Sequence, residues 1–156
     1  MPHKRDEIRE IIVNSLMNKT NVKKNVFNWR IRPVQNDHNL PCISVVIPEE
    51  KVLEISASGD FIQRQSDVYI VIYHSAGHND DNMCDEISRQ VEKIINNLNS
   101  EYFDFEYKKT EISTENLSTK ILILCTLHYE CIYNTYESKE ITSDELDQIS
   151  IEVANG

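Results

Sequence analysis

Residues 63–73 read QRQSDVYIVIY and lie at the centre of the predicted fold, together with the helix that follows them. Its apolar second half and its β-branched and aromatic residues predict a largely buried strand. The loop SAGHN at residues 75–79 leads from it into a helix that begins in DDNMCDEI, residues 80–87, and runs to about Leu98. One apolar stripe follows this helix: Met83, Ile87, Val91, Ile94, Ile95 and Leu98. We expect the helix to fold back over the strand.

Upstream of this pair, the chain predicts one helix and several strands. Apolar residues at helical spacing predict a helix over residues 4–18. Alternation predicts a strand over residues 26–32, and the apolar run at residues 42–47 predicts a central strand covered on both faces. The sequence Pro-Glu-Glu at residues 48–50 is expected to end that strand, which leaves residues 51–56 as a short edge strand.

Downstream of the helix, two more strands are expected. Residues 102–108 alternate strictly, residues 113–116 have turn composition, and residues 120–131 form the last strong strand, antiparallel to its predecessor. Asp80 or Asp81 is the expected N-cap of the second helix. The predicted fold class is α+β, with a mixed, mostly antiparallel sheet flanked by two helices.

The C-terminal composition divides the chain into a domain at residues 1–133 and an acidic arm at residues 134–156. Within the arm, six acids oppose the single base Lys139. Those acids are Glu137, Glu140, Asp144, Glu145, Asp147 and Glu152. The apolar residues of the arm are too sparse to build a core, so we expect the arm to become ordered only by docking.

Charge and hydropathy limit the class of protein. The 156 residues carry a net charge of −10, which argues against nucleic acid as a direct partner because phosphate binding requires a basic surface. No apolar run is long enough to span a bilayer, and the N-terminus lacks the apolar core of a signal peptide. We therefore expect a protein that is cytoplasmic when made and has no membrane partner.

Candidate catalytic and metal-binding residues are few. His74, His78, Asp80 and Asp81 lie close in sequence and could serve a small metal-dependent hydrolase, but helix capping and solvated loop positions explain them equally well. The three glycines cannot build a phosphate-binding loop. The four cysteines form no C-x-x-C pair, so neither zinc nor a disulfide framework is expected. His128 is interpreted as a satisfied strand residue rather than a base, and we predict no catalytic residue, cofactor or metal.

Basic residues concentrate early in the chain. They are Lys19, Lys23, Lys24, Arg30 and Arg32. One interpretation is an ordinary solvated surface. The other is charge complementarity between neighbouring copies, in which a basic face of one meets an acidic face of the next.

A succession of segments resembles a known family. It consists of the helix with RDEIR at residues 5–9, RIRP at 30–33, LPCISV at 40–45, Glu-Glu at 49–50, RQSDVYIV at 64–71, the helix at 80–98 and HYE at 128–130. This order and spacing, over about residues 5–131, resembles the tail terminator of long-tailed phages, the minor tail protein U of lambda-like phages. The arm is longer than the ending expected for this family.

The resemblance implies a structural protein without enzymatic activity. It implies a hexameric ring that caps the tail tube, stops polymerisation of the tube protein and offers a surface to the head-completion protein. The resemblance also implies that the protein is located in the virion tail, and in the host cytoplasm during assembly. We expect Lys23, Lys24, Arg30 and Arg32 to lie on an interaction face. The alternatives are a head–tail connector or tail-completion ring, an acidic inhibitor of a host factor, and the hydrolase above.

Overall fold

The computed structural model describes residues 4–28, 40–76, 82–100 and 103–136. In chain order, the elements are α1 (Lys4–Leu16), β1 (Val26–Asn28), β2 (Cys42–Ile55), β3 (Phe61–Ser75), α2 (Met83–Asn96), β4 (Phe103–Asn116) and β5 (Ile121–Tyr136). The strands form one mixed sheet in the order β1-β2-β3-β5-β4. Only β1 and β2 are parallel among these pairs. The predicted α+β class with a mostly antiparallel sheet is confirmed.

Both helices pack on the same face of the sheet, which we call the helix-covered face. The helices contribute Ile8, Ile12 and Leu16 from α1 and Cys84, Ile87, Val91 and Ile95 from α2 to one buried cluster. The sheet contributes alternate residues, including Ile43, Val45, Ile70, Ile72 and Leu127, none of which is exposed. Burial of each such side chain favours folding by about 1.5–3 kcal/mol. The predicted packing of α2 against β3 therefore forms the centre of the core.

The other face of the sheet, which we call the second face, carries a smaller cluster. Cys42, Val71, Tyr73 and Leu122 are buried there. Residues 42–45 of β2 are consequently buried on both faces, which confirms the prediction of a doubly covered strand.

The predicted break at residues 48–50 is wrong, because β2 continues as one strand to Ile55. The register shifts between Val46 and Glu49, and this irregularity absorbs the proline without ending the pairing with β3. Among the described residues, β1 pairs only with residues 43–45 of β2, so Pro48 lies where no ladder donor is required.

Glu50, just beyond this irregularity, enters a polar network on the helix-covered face. Its side chain is 8% exposed, and its Oε1 accepts a hydrogen bond from Arg64 Nη1 at 2.8 Å. The Tyr133 hydroxyl donates to Glu50 Oε2, and the Ser66 and Tyr133 hydroxyl oxygens are 2.8 Å apart. Burial, followed by the bond to Glu50, raises the pKa of Tyr133 above its ordinary value. Glu50 thus joins β2 to β3 and β5 instead of ending β2.

Two other boundaries differ from the predictions. Residues 113–116 belong to β4, and the hairpin lies at residues 117–120, closed by the Leu117 N–H bond to the Lys120 carbonyl at 2.8 Å. Because an edge strand tolerates polar residues on both faces, this segment forms a strand despite its turn-like composition. The N-cap position of α2 is Asn82, without a side-chain cap bond. The predicted caps Asp80 and Asp81 lie outside the described residues.

The last strand extends past the composition change at residue 134. It pairs with β3 as far as Tyr136 opposite Phe61, and these two rings meet edge to face at 5.7 Å. The division into residues 1–133 and 134–156 stays a prediction, because residues 137–156 lie outside the described part of the chain. Residues 29–32 of the predicted first strand also lie outside it.

Candidate interaction surfaces

A compact basic turn joins α1 to β1. Asn18 and Lys23 have positive φ angles of 59° and 56°, and the Asn18 N–H donates to the Lys23 carbonyl at 2.8 Å. A left-handed asparagine just after a helix is a common way to end it. Val22 anchors the turn in the core with 3% exposure. Asn21 and Gln90 exchange two hydrogen bonds of 2.9 and 3.2 Å, which attach the turn to α2.

The lysines of this turn face solvent. Lys19, Lys23 and Lys24 are exposed, and none of them forms an ion pair with any residue that the structure describes. Residues 4–28 contain six bases and three acids, against the net negative charge of the chain. Lys23 and Lys24 therefore belong to one fixed basic surface beside β1. Arg30 and Arg32, their predicted companions, lie outside the described residues.

The opposite edge of the sheet is formed by β4, which is long and exposed. Every residue at positions 106–116 is exposed, including Tyr107 at 46% and Ile112 at 62%. Four acids lie along this strand: Asp104, Glu106, Glu111 and Glu115. A strand at a sheet edge presents unpaired backbone donors and acceptors, which favour pairing with another chain.

The two lysines of β4 are already neutralised by acids. Lys108 lies 2.9 Å from Glu130 and 3.2 Å from Glu106, and hydrogen bonds to these two carboxylates raise its pKa. Lys109 lies 2.5 Å from Glu111, and this bond lowers the pKa of the Glu111 carboxyl. The edge at β4 is therefore acidic in character, in contrast to the basic turn at the other end of the sheet.

The second face carries a polar and aromatic cluster around His128. Its Nε2 lies 3.0 Å from Asp67 Oδ1, and its ring stacks on Tyr69 with centroids 4.7 Å apart. Burial, with a smaller contribution from Asp67, raises the pKa of Tyr69. The interpretation of His128 as a satisfied residue is confirmed.

Of the four residues of the alternative hydrolase site, only His74 belongs to the described part of the chain. His74 is 5% exposed, and its Nδ1 lies 3.1 Å from the Ser75 carbonyl oxygen. His78, Asp80 and Asp81 lie outside the described part of the chain. Within the described ranges, no group of three or more His, Cys, Asp or Glu side chains is placed to hold a metal ion.

All four cysteines are buried, and none of them forms a disulfide with the described residues. Ser88 Oγ lies 3.2 Å from Cys125 Sγ beneath α2. A hydrogen bond with Cys125 and burial raise the pKa of Cys84, and burial raises the pKa of Cys131 to about 12. Their burial is typical of cysteines that serve as small core side chains.

Two features were missed by sequence analysis. At Tyr129 the sequence predicts only a strand, yet the hydroxyl oxygen of this residue is buried and has no partner among the described residues. At Glu50 the sequence predicts only a strand break. A carboxylate directly after a buried strand is the sequence feature that could have indicated a buried polar network at Glu50. No sequence feature distinguishes Tyr129 from the other strand tyrosines.

Taken together, the fold and its surfaces define a small α+β protein with a basic turn at one sheet edge and an acidic strand at the other. The family model described as phage minor tail protein U matches residues 3–123. The chain therefore belongs to the phage minor tail protein U family, and it is a structural component of the phage virion tail. A comparison with curated proteins finds no match. Within the described residues, no helix is both long and apolar enough to cross a membrane.

Proposed function

We propose that this tail protein is a terminator whose copies close into a ring on the end of the tail tube. The ring stops polymerisation of the tube protein and then provides the surface for the head-completion protein. The resemblance to the terminator family predicts six copies in the ring. No covalent chemistry is required of the protein, because its action depends on shape and on association between copies.

The observation that supports a ring is the separation of two unlike surfaces. The basic turn precedes β1 directly, while β4 lies at the far end of the strand order. Contacts between different surfaces of identical copies are head-to-tail, and such contacts close into a ring when the rotation between copies is suitable. A protein with both surfaces on one edge would instead favour a two-fold pair.

The interface proposed between copies joins these two edges. Lys23 and Lys24, together with Arg30 and Arg32, meet the acids of the neighbour's β4 strand. That strand is accessible to a partner along its whole edge, as far as the described residues extend. Charge complementarity of this kind speeds association and disfavours the wrong register, in which like charges would meet.

Termination follows from the two faces of such a ring. One face must match the end of the tube, and the other must reject a further tube subunit while accepting the head-completion protein. A ring with unlike faces satisfies both requirements, since head-to-tail closure leaves the two faces of the ring chemically different.

Light scattering of the purified protein, alone and mixed with tube protein, tests this proposal. We expect an assembly of six 18.2 kDa chains, formed alone or on mixing, and we expect tube growth to stop when the protein is added. A protein that stays monomeric in both samples while tubes continue to lengthen would contradict the proposal.

A further inference from the structure

Two cysteines face each other between α2 and β5. Cys84 lies in the first turn of α2, Cys125 lies on the strand beneath it, and the two thiols share a hydrogen bond. One turn further along the helix, Ser88 Oγ lies 3.2 Å from Cys125 Sγ. Residues four apart on a helix share one face, so both contacts come from the same side of α2. Two sulfurs already in contact need only a small approach to form a bond.

The other two cysteines are too far away to join this pair. Cys42 belongs to the buried cluster on the second face, so the sheet separates it from Cys84 and Cys125. Cys131 is on the helix-covered face, but it lies six residues beyond Cys125 on the same strand, or ~20 Å away. A disulfide requires α-carbons within about 7 Å of each other. The fold therefore brings together one pair of cysteines out of the four.

Cys125 has the surroundings of a nucleophilic thiol. A hydrogen bond from Cys84, followed by one from Ser88, lowers the pKa of the Cys125 thiol against the opposing effect of burial. The thiolate is the form that reacts with oxidants. Both thiols are buried, so access requires the first turn of α2 to open, and its N-cap residue Asn82 makes no side-chain cap bond. A helix end without such a bond opens more readily, which uncovers Cys84 and Cys125 together.

We infer that Cys84 and Cys125 are a site of oxidation, at which a peroxide converts the two thiols into a disulfide. The Cys125 thiolate attacks one oxygen of hydrogen peroxide, the O–O bond breaks, and the departing hydroxide takes up the Cys125 proton as water. The Cys84 sulfur then attacks the sulfur of the resulting sulfenic acid, the S–O bond breaks, and the second hydroxide leaves as water with the Cys84 proton. Two thiols are oxidised, and one peroxide is reduced to two waters.

The disulfide would fasten α2 to the sheet of a virion protein. Disulfides persist on virions outside the cell, where no thiol pool reduces them. The bond closes a loop from residue 84 to residue 125, and such a closure restricts the unfolded chain. We expect the melting temperature of the oxidised protein to lie about 5–15 °C above that of the reduced protein and to fall back with dithiothreitol. An unchanged or lower melting temperature would contradict a bond that the native fold accommodates. This inference is independent of ring formation.

Peptide mapping of the full-length protein tests the inference. The folded protein is treated with hydrogen peroxide, then unfolded, alkylated and cleaved by trypsin without reduction. Tryptic peptide 65–89 contains Cys84, and peptide 121–139 contains Cys125 and Cys131. We expect these two peptides to be joined at least about tenfold more often than any other pair, because groups held in contact react much faster. Equal amounts of all pairs, or complete alkylation of Cys84, would overturn the inference.

Single variants identify the sulfurs that react. Cys42→Ser and Cys131→Ser are the matched controls and should keep the joined peptides, whereas Cys125→Ser should lose them. Ser88→Ala should slow bond formation about three- to tenfold without changing the pair, since it removes one hydrogen bond to Cys125. Joined peptides that survive in Cys125→Ser and disappear in Cys131→Ser would assign the bond to Cys131 and reject the pair.

Discussion

A protein with Lys23, Lys24, Arg30 and Arg32 all replaced by glutamate is expected to remain folded and to lose ring assembly. Lys23 and Lys24 are exposed and make no ion pair with the described residues, so their reversal removes no contact of the folded monomer. Lys23 already carries a side chain at its positive φ of 56°, so glutamate adds no backbone restriction there. In the ring, four new acids would face the acidic β4 strand of the neighbour, and like-charge juxtaposition costs several kcal/mol.

Light scattering measures this effect, and a thermal melt confirms that the variant is folded. The matched control replaces the same four residues by glutamine, which removes attraction without adding repulsion and should weaken the ring while preserving some assembly. Light scattering of the double variant Arg30→Glu/Arg32→Glu shows how much of the lost assembly is due to the two arginines and how much to the two lysines. Normal tails from the quadruple glutamate variant would reject the interface.

Replacement of Glu50 by alanine is expected to lower the free energy of unfolding by about 3 kcal/mol, the lower end for a buried pair that loses one partner. The variant leaves Arg64 without its 2.8 Å bond to the carboxylate, and Tyr133 keeps only the Ser66 hydroxyl, 2.8 Å away, as a hydrogen-bond partner. The Arg64 side chain keeps 23% exposure and a 2.9 Å bond to Thr135, so water and Thr135 compensate in part. Urea denaturation measures the change.

Glu49→Ala is the control for this prediction. Glu49 is exposed one residue earlier on the same strand and pairs across to Asp67 on the second face, so its removal should change stability by less than about 0.5 kcal/mol. If Glu49→Ala and Glu50→Ala unfold at the same urea concentration, the buried network does not stabilise β2 as described.

The core elements could be predicted from sequence because each has a strong periodic pattern. The apolar stripe of α2 and the buried run of β3 specify both the type of element and the face that it buries. The antiparallel pairing of β4 with β5 follows from their closeness in sequence. These elements make up the helix-covered core.

The two failed strand predictions share one physical origin. At residues 48–50 and 113–116, local composition favours a break or turn, but pairing with a neighbouring strand overrides it. Pro48 is tolerated because the strand shifts register there, and the polar residues of β4 are tolerated because that strand lies at an edge. Tertiary pairing of this kind is not visible in a local window of sequence.

The surfaces were less predictable than the core. The early concentration of lysines indicates a basic region, but only the fold shows that Lys23 and Lys24 lie beside β1, opposite the acidic edge at β4. A groove between α2 and β4, bordered by Arg89 and Lys93, depends on how far α2 extends over the sheet. That relation between non-neighbouring elements has no signature in the sequence.

Electron microscopy of particles made without this protein tests whether its ring on the tube is what ends tail growth. We predict tubes much longer than normal and free of heads, restored to normal length when the protein is supplied. Tails of normal length that lack heads would contradict terminator function and would indicate a connector or tail-completion protein instead.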